Sequence, residues 1–369
     1  MSKYTRCTRC VMDNKSDETI RFNSEGVCNY CIEALEQVGK VYFPNDIGQK
    51  KLDELIKRIK EENRNKKYDC IMGISGGLDS SYLAYLGASK WGLRILAVHV
   101  DDGYDTEISS RNISKLCKAA NIELINIKPD AKQFNELTRA YMLAGVPNLA
   151  IPQDNVLFAT IYKFMRKHNI KVFLSGHNFA LESILQKGNT YDPYDTRNIK
   201  DINRRFGREK IDKLDFISNL QRDIDLRILK IETPRPLNYI DYNRERALIE
   251  LKEFCDFEYY GSKHLENTLT KFIQVYWFYH KFNVDKRTSH LSSMIISDQM
   301  SREEALKLLD EPIYDEQIMN EEIDMLLEKL DLSKEEFSRI MNERPKQHTE
   351  YAVSKYPLIK NYVRNFIRR

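Results

Sequence analysis

The segment Gly73-Ile74-Ser75-Gly76-Gly77-Leu78-Asp79-Ser80-Ser81 constrains this chain more than any other. An apolar run, Tyr68–Ile74, precedes it, and a stretch with helical spacing follows at about 80–90. Strand, glycine-rich turn and helix in that order make an anion site, because the turn exposes backbone N–H groups and the helix start carries a positive dipole end. Gly76 and Gly77 let the backbone approach a ligand closely. Ser75, Ser80 and Ser81 add hydroxyl donors. The loop contains no lysine, so it is not a GK[ST] loop built for γ-phosphoryl transfer. A loop that grips pyrophosphate and leaves the α-phosphate open suits adenylyl transfer. Asp79 beside phosphates implies a cation, and Mg2+ is the expected one.

The pattern around the loop reads as α/β. Leu93–Val100 is nearly all apolar, as a strand buried on both faces should be. Ile122–Ile127, Lys171–Ser175 and Arg227–Glu232 read as further strands. Helices are expected at about 47–64, 107–120, 131–143, 155–168 and Asn178–Gln186. Strands alternating with helices predict a parallel sheet with crossover helices. Residues 188–227 are polar and read as a long loop or an inserted helical segment. Beyond about 242 the chain reads as helical, with capping boxes at Ser301/Glu304 and Ser333/Glu336. The organisation expected is a cysteine unit over 1–45, a nucleotide domain over 46–260 and a helical domain over 261–369.

Four of the seven cysteines form two tight pairs, Cys7/Cys10 and Cys28/Cys31, with 17 residues between the pairs. Two residues between thiolates let both bind one tetrahedral ion, and four thiolates close a structural Zn2+ site. The segment between is too short and polar to fold on its own core, so metal would supply the folding energy. An iron–sulfur cluster is the alternative. An odd cysteine count with CxxC pairs fits a reducing compartment. The first residues lack the apolar core of a signal peptide, and no run approaches a membrane-spanning length, so a cytoplasmic location is expected. A net charge of +3 speaks against a protein whose main task is to hold nucleic acid.

SGGLDSS over Ser75–Ser81 resembles the signature of PP-loop ATP pyrophosphatases, with a Rossmann-like fold. Three more segments match in order: His99-Val100-Asp101-Asp102-Gly103, Ser175-Gly176-His177-Asn178 and Pro234-Arg235-Pro236-Leu237. The resemblance implies that Ile74, Ser75, Gly76, Gly77, Asp79, Ser80, Ser81, Val100, Asp101, Gly176, His177 and Arg235 surround ATP. Further on lie Gly261-Ser262-Lys263-His264-Leu265-Glu266-Asn267, an aromatic helix Phe272–Phe282, Asp285-Lys286-Arg287, His290 and Ser301-Arg302-Glu303-Glu304. Together with the cysteine pairs, these resemble the N-acetyl sugar amidotransferase family, which converts an acetamido group on a bacterial surface sugar into an acetamidino group. Asp102 departs from the family's usual Asn, and Asp105 and His177–Glu182 depart as well.

The resemblance implies attack of the amide oxygen on the α-phosphate, then displacement of AMP by ammonia. It also implies a separate glutaminase and a cyclase-like barrel as partners, and no nucleic acid. Asp79, Ser80, Lys263 and His264 are the candidate catalytic residues, and Glu266, Arg287 and His290 the candidate substrate contacts. Tyr276, Trp277 and Phe278 read as core rather than a sugar platform. The basic stretch Lys355–Arg369 reads as a terminal helix on its own domain. The competing readings are a tRNA-modifying thiolase and a nonenzymatic zinc-dependent adaptor.

Overall fold

Short apolar runs become four parallel strands: β1 (Cys70–Gly73), β2 (Ile95–Val100), β3 (Glu123–Ile127) and β4 (Phe173–Leu174), in the order β3-β2-β1-β4. The protein is described from a computed structural model covering residues 3–261, 263 and 265–360. Ile71 pairs with Leu96 on one side and Phe173 on the other, which buries β1 completely at the sheet centre. β3 lies at the edge, and there Glu123 and Asn126 face solvent. The chain leaves β1 for β2 and β3 on one side and returns to β4 on the other. The crevice beyond the carboxyl ends of β1 and β4 is therefore the topological switch point, where open α/β sheets hold ligands.

The helices, in chain order, are α1 (Asn29–Leu35), α2 (Asp46–Glu62), α3 (Leu78–Tyr85), α4 (Glu107–Ala119), α5 (Ala131–Ala144), α6 (Ile151–His168), α7 (Phe179–Glu182), α8 (Thr196–Phe206), α9 (Asn219–Arg227), α10 (Arg244–Cys255), α11 (Thr268–Lys271), α12 (Phe278–Phe282), α13 (Arg287–Ile296), α14 (Arg302–Asp310), α15 (Glu316–Leu330) and α16 (Lys334–Asn342). One face of the sheet shares a core with the cysteine unit, through Met12, Tyr30 and Tyr42, and with α2, α3 and α10. The other face packs on α6 through Ile161 and Met165. A further core joins α5 and α8 to the C-terminal helices around Trp277, Phe278 and Leu326, with Tyr276 packed at its margin. The aromatic run is thus core, as expected. Both expected capping boxes are formed. None of the helices described is long and apolar enough to cross a membrane.

Three expectations fail locally. Arg227–Glu232 is not a strand: α9 ends at Arg227, Lys230 takes a left-handed backbone with φ +55°, and Glu232 forms only a single bridge with Val172. Pro234 and Pro236 follow and lack the N–H that would extend a ladder. The helix expected over Asn178–Gln186 stops at Glu182, where the Ile184 N–H turns to donate to the Ser293 hydroxyl at 3.0 Å. The helix after the loop starts earlier, at Leu78, and widens into a π-turn over Leu86–Lys90. Residues 188–227 hold α8 and α9, so the inserted-helix alternative is the correct one. The expected terminal helix over Lys355–Arg369 falls largely outside the described residues.

Candidate active site

The loop closes on itself before any ligand arrives. The Ser75 hydroxyl accepts from the Gly77 N–H at 3.2 Å and lies 3.3 Å from the Ser80 hydroxyl, which donates to the Gly77 carbonyl at 3.2 Å. Gly76 takes φ +75°, and a Cβ there would sit 2.4 Å from the Ser109 carbonyl oxygen, so no other residue fits. A Cβ on Gly77 would lie 2.6 Å from Glu266 Oε1. Tyr260 reaches in from the C-terminal side, its hydroxyl accepting from the Leu78 N–H at 2.9 Å. His99 donates from Nδ1 to the Ile74 carbonyl at 2.8 Å, and its Nε2 meets Asp105 at 2.8 Å. Both partners are acceptors and favour the protonated ring. Burial opposes that charge, but Asp105 outweighs it and the pKa rises.

Asp79, in the first turn of α3, is the hub of a charged relay. Tyr242 donates to one oxygen at 2.5 Å, and Lys263 contacts the other at 3.1 Å. Lys263 also pairs with Glu182 at 2.8 Å, and Glu182 with the His177 ring. Burial disfavours the Lys263 ammonium, yet Asp79 and Glu182 more than compensate and push its pKa up. Glu266 has the opposite fate. Burial raises its carboxyl to about 7, and its Oε2 is buried with no partner among the described residues. The site thus holds a fixed cation, a carboxylate it neutralises, and a buried acid beside the loop backbone. Around them is a cavity of about 630 Å³ at the switch point.

The cysteine pairs form a separate centre. All four Sγ atoms are buried and lie within 4.8 Å of one another, with Cys7–Cys31 at 3.9 Å and Cys10–Cys28 at 3.8 Å. A tetrahedron with metal–sulfur bonds of about 2.3 Å has edges of about 3.8 Å. Backbone N–H groups of Cys10, Met12, Cys28 and Cys31 point at the sulfurs, as thiolates require. The set fits one metal ion with no open position. Arg302 at the start of α14 donates to the carbonyls of Cys7 and Cys10 at 3.0 and 3.1 Å, which fastens the centre to the helical half.

Two family matches divide the chain across the cavity. Residues 49–171 match NAD synthase. Residues 266–364 match the family described as LPS biosynthesis protein WbpG-like, C-terminal domain. The part that carries the phosphate loop is thus NAD synthase-like, and the part that follows resembles the WbpG-like C-terminal domain. An uncharacterized protein of Methanocaldococcus jannaschii is 29% identical over 126 residues, 34% of this chain. The match spans only 43% of that relative's length. An NH3-dependent NAD synthetase from Campylobacter jejuni aligns at 16% identity and a TM-score of 0.30, over 57% of this chain and 93% of the synthetase. A U34-tRNA thiolase from Methanococcus maripaludis aligns at 15% and 0.34, over 84% and 89%.

Ile74, Ser75, Gly77, Asp79, Ser80, Val100, Gly176, His177, Lys263, Glu266 and His290 line one cavity. Five expected residues do not line it. Gly76 packs on α4, and Ser81 is fully buried. The Asp101 carboxylate pairs with Lys128 at 2.8 Å, and Arg235 is exposed. Arg287 forks onto Asp285 and donates to the carbonyls of Leu308, Leu309 and Glu311, which ties α13 to the end of α14. His264 lies outside the described residues. Sequence reasoning missed Tyr242 and Tyr260, which stand in no motif, and Gln153, Asp154 and Gln274 in the cavity wall.

Proposed function

We propose that this protein is an AMP-forming amidotransferase that turns the acetamido group of a bacterial surface sugar into an acetamidino group. One observation carries the reading. The phosphate loop lies in the part that matches NAD synthase, while Glu266, Asn267, Thr270 and Gln274, in the part that matches a lipopolysaccharide-biosynthesis protein, line the same cavity. ATP held by the loop N–H groups and the Ser75 and Ser80 hydroxyls would present its α-phosphorus to the acceptor amide. The amide oxygen attacks, the bond to the β-phosphate oxygen breaks, and pyrophosphate leaves. Ammonia then adds to the imidate carbon, AMP departs with the oxygen, and a proton is lost to leave the amidine.

The chain's own part is placement and charge. Lys263 would follow the negative charge onto the phosphates, exchanging Asp79 for them. Asp79 would hold Mg2+, which when bound would neutralise the leaving pyrophosphate. Glu266, its carboxyl raised to about 7 by burial, can donate to a phosphate oxygen in its protonated form. Ammonia would come from a separate glutaminase through a barrel partner, as the resemblance to the sugar amidotransferases implies. The thiolase reading expects catalytic cysteines around the nucleotide, and none lines the cavity among the described residues. Four sulfurs this close support one Zn2+ ion over a multi-iron cluster.

The test is direct. The protein is incubated with ATP, Mg2+, an ammonium salt and a panel of acetamido sugars. Mass spectrometry then looks for AMP and for a sugar with oxygen replaced by NH. Absence of AMP under every condition would overturn the enzyme reading.

A further inference from the structure

The cavity has a second half that the phosphate chemistry leaves unused. It runs from the start of α6 to the π-helical turn Phe272–Trp277 that follows α11. Part of its wall is self-satisfied. Gln153 donates to Asp102 at 2.5 Å, Asn267 donates to the same carboxylate at 3.1 Å, and Thr270 donates to Gln153 at 3.4 Å. These bonds make a rigid backing of amides and one acid.

Three polar side chains in this half have capacity left over. The Asp154 carboxylate has no hydrogen bond or ion pair among the described residues, and burial alone raises its carboxyl to about 7. Asn148 uses its Oδ1 on the Ala150 N–H at 3.0 Å and has a free Nδ2. The Gln274 amide is wholly unpartnered among the described residues. Gln274 sits inside the π-turn. The extra residue of such a turn shifts the helical register, and these turns gather at functional sites. Here Phe272, Ile273 and Trp277 stay in the core while Gln274 lines the cavity.

With no cation beside it, the Asp154 carboxyl has nothing that attracts phosphate. With two free amides it suits a neutral ring that carries several hydroxyls, since a carboxylate accepts from O–H and an amide both donates and accepts. The geometry points to Asn148, Asp154 and Gln274 as the set that grips the ring hydroxyls of the acceptor sugar, with its acetamido group directed to Lys263 and the phosphate loop. This assignment rests on the sugar amidotransferase reading and specifies which residues select the acceptor.

Steady-state kinetics of the full chain, with ATP and either N-acetylglucosamine or its UDP-linked form as acceptor, test it. Asp154→Asn and Gln274→Ala should each raise the acceptor KM about tenfold or more, the loss of a charged or neutral hydrogen bond to substrate. The half-saturating ATP concentration and the thermal protection by ATP should stay unchanged. A rise in the ATP requirement of Asp154→Asn with an unchanged acceptor KM would overturn the assignment and place Asp154 on the nucleotide ribose. Wild-type turnover of these sugars with indistinguishable variants would overturn the assignment alone. AMP release without modification of any acetamido sugar would overturn the sugar reading, and this assignment with it.

Discussion

The cysteine centre and the phosphate loop are both built on short motifs, yet they are finished in opposite ways. All four metal ligands come from residues 7–31, and the nearby backbone supplies the N–H groups that solvate the sulfurs. The loop has its own serines, but its charges are set by distant residues: Tyr242, Tyr260, Lys263 and Glu266 from beyond the sheet, and Glu182 from α7. A closed site binds an ion and nothing else. A site completed from several elements can exchange a protein partner for a ligand, which catalysis requires.

The largest effect expected from this contrast is metal removal. Chelation, or Cys31→Ser, should lose the folded protein rather than an activity, because structural Zn2+ contributes about 10–16 kcal/mol to such units. Zinc content, soluble yield and thermal unfolding check this. A folded, metal-free protein would break the comparison. Asp79→Ala should leave the protein folded and soluble, though melting earlier, while lowering AMP release by about 100-fold or more, read from AMP formation at saturating ATP.

Lys263→Met falls between the two. It leaves Asp79 and Glu182 facing each other without their cation, and breaking such a buried pair costs about 3–5 kcal/mol. The variant should melt earlier without ATP and gain less protection from it than wild type.

The smallest effect comes from a group in neither region and separates loss of fold from loss of site. His348 is buried against Tyr191, with ring centroids 4.5 Å apart, and burial pushes its pKa down to about 3. In the unfolded chain the value is about 6.5. The unfolded chain therefore takes the proton first. Stability from this group is full above about pH 6.5 and is lost progressively as the pH falls toward 3. At pH 5 the loss is about 2 kcal/mol. Thermal unfolding of His348→Phe should fall less between pH 7 and pH 5 than that of wild type.

Much of this was legible one residue at a time. The spacing of Cys7, Cys10, Cys28 and Cys31 is a local constraint that survives folding. So is the order of strand, Gly76-Gly77 and helix, because dihedral freedom and dipole direction are properties of a short segment. The early end of the four-residue α7 was not legible: the Ile184 N–H turns to Ser293, a residue 109 positions away. Arg227–Glu232 misled for a related reason: Ile228, Leu229 and Ile231 give it the composition of a strand, yet only Glu232 bonds to the sheet, through Lys171 and Phe173.

The sequence by itself determined the ligand set for a metal and the backbone that meets phosphate, since each depends on neighbours within about one turn or two. Only the tertiary structure decided which side chains face that backbone. Lys263 was suspected as catalytic but not as the partner of Asp79, and Arg287 was suspected as a substrate contact but holds α13 to α14. Asp154 and Gln274 carried no motif at all. Their meaning comes from lining a shared cavity, half-buried, with no side-chain partner among the described residues. Burial is a property of the whole packed molecule and of no segment alone.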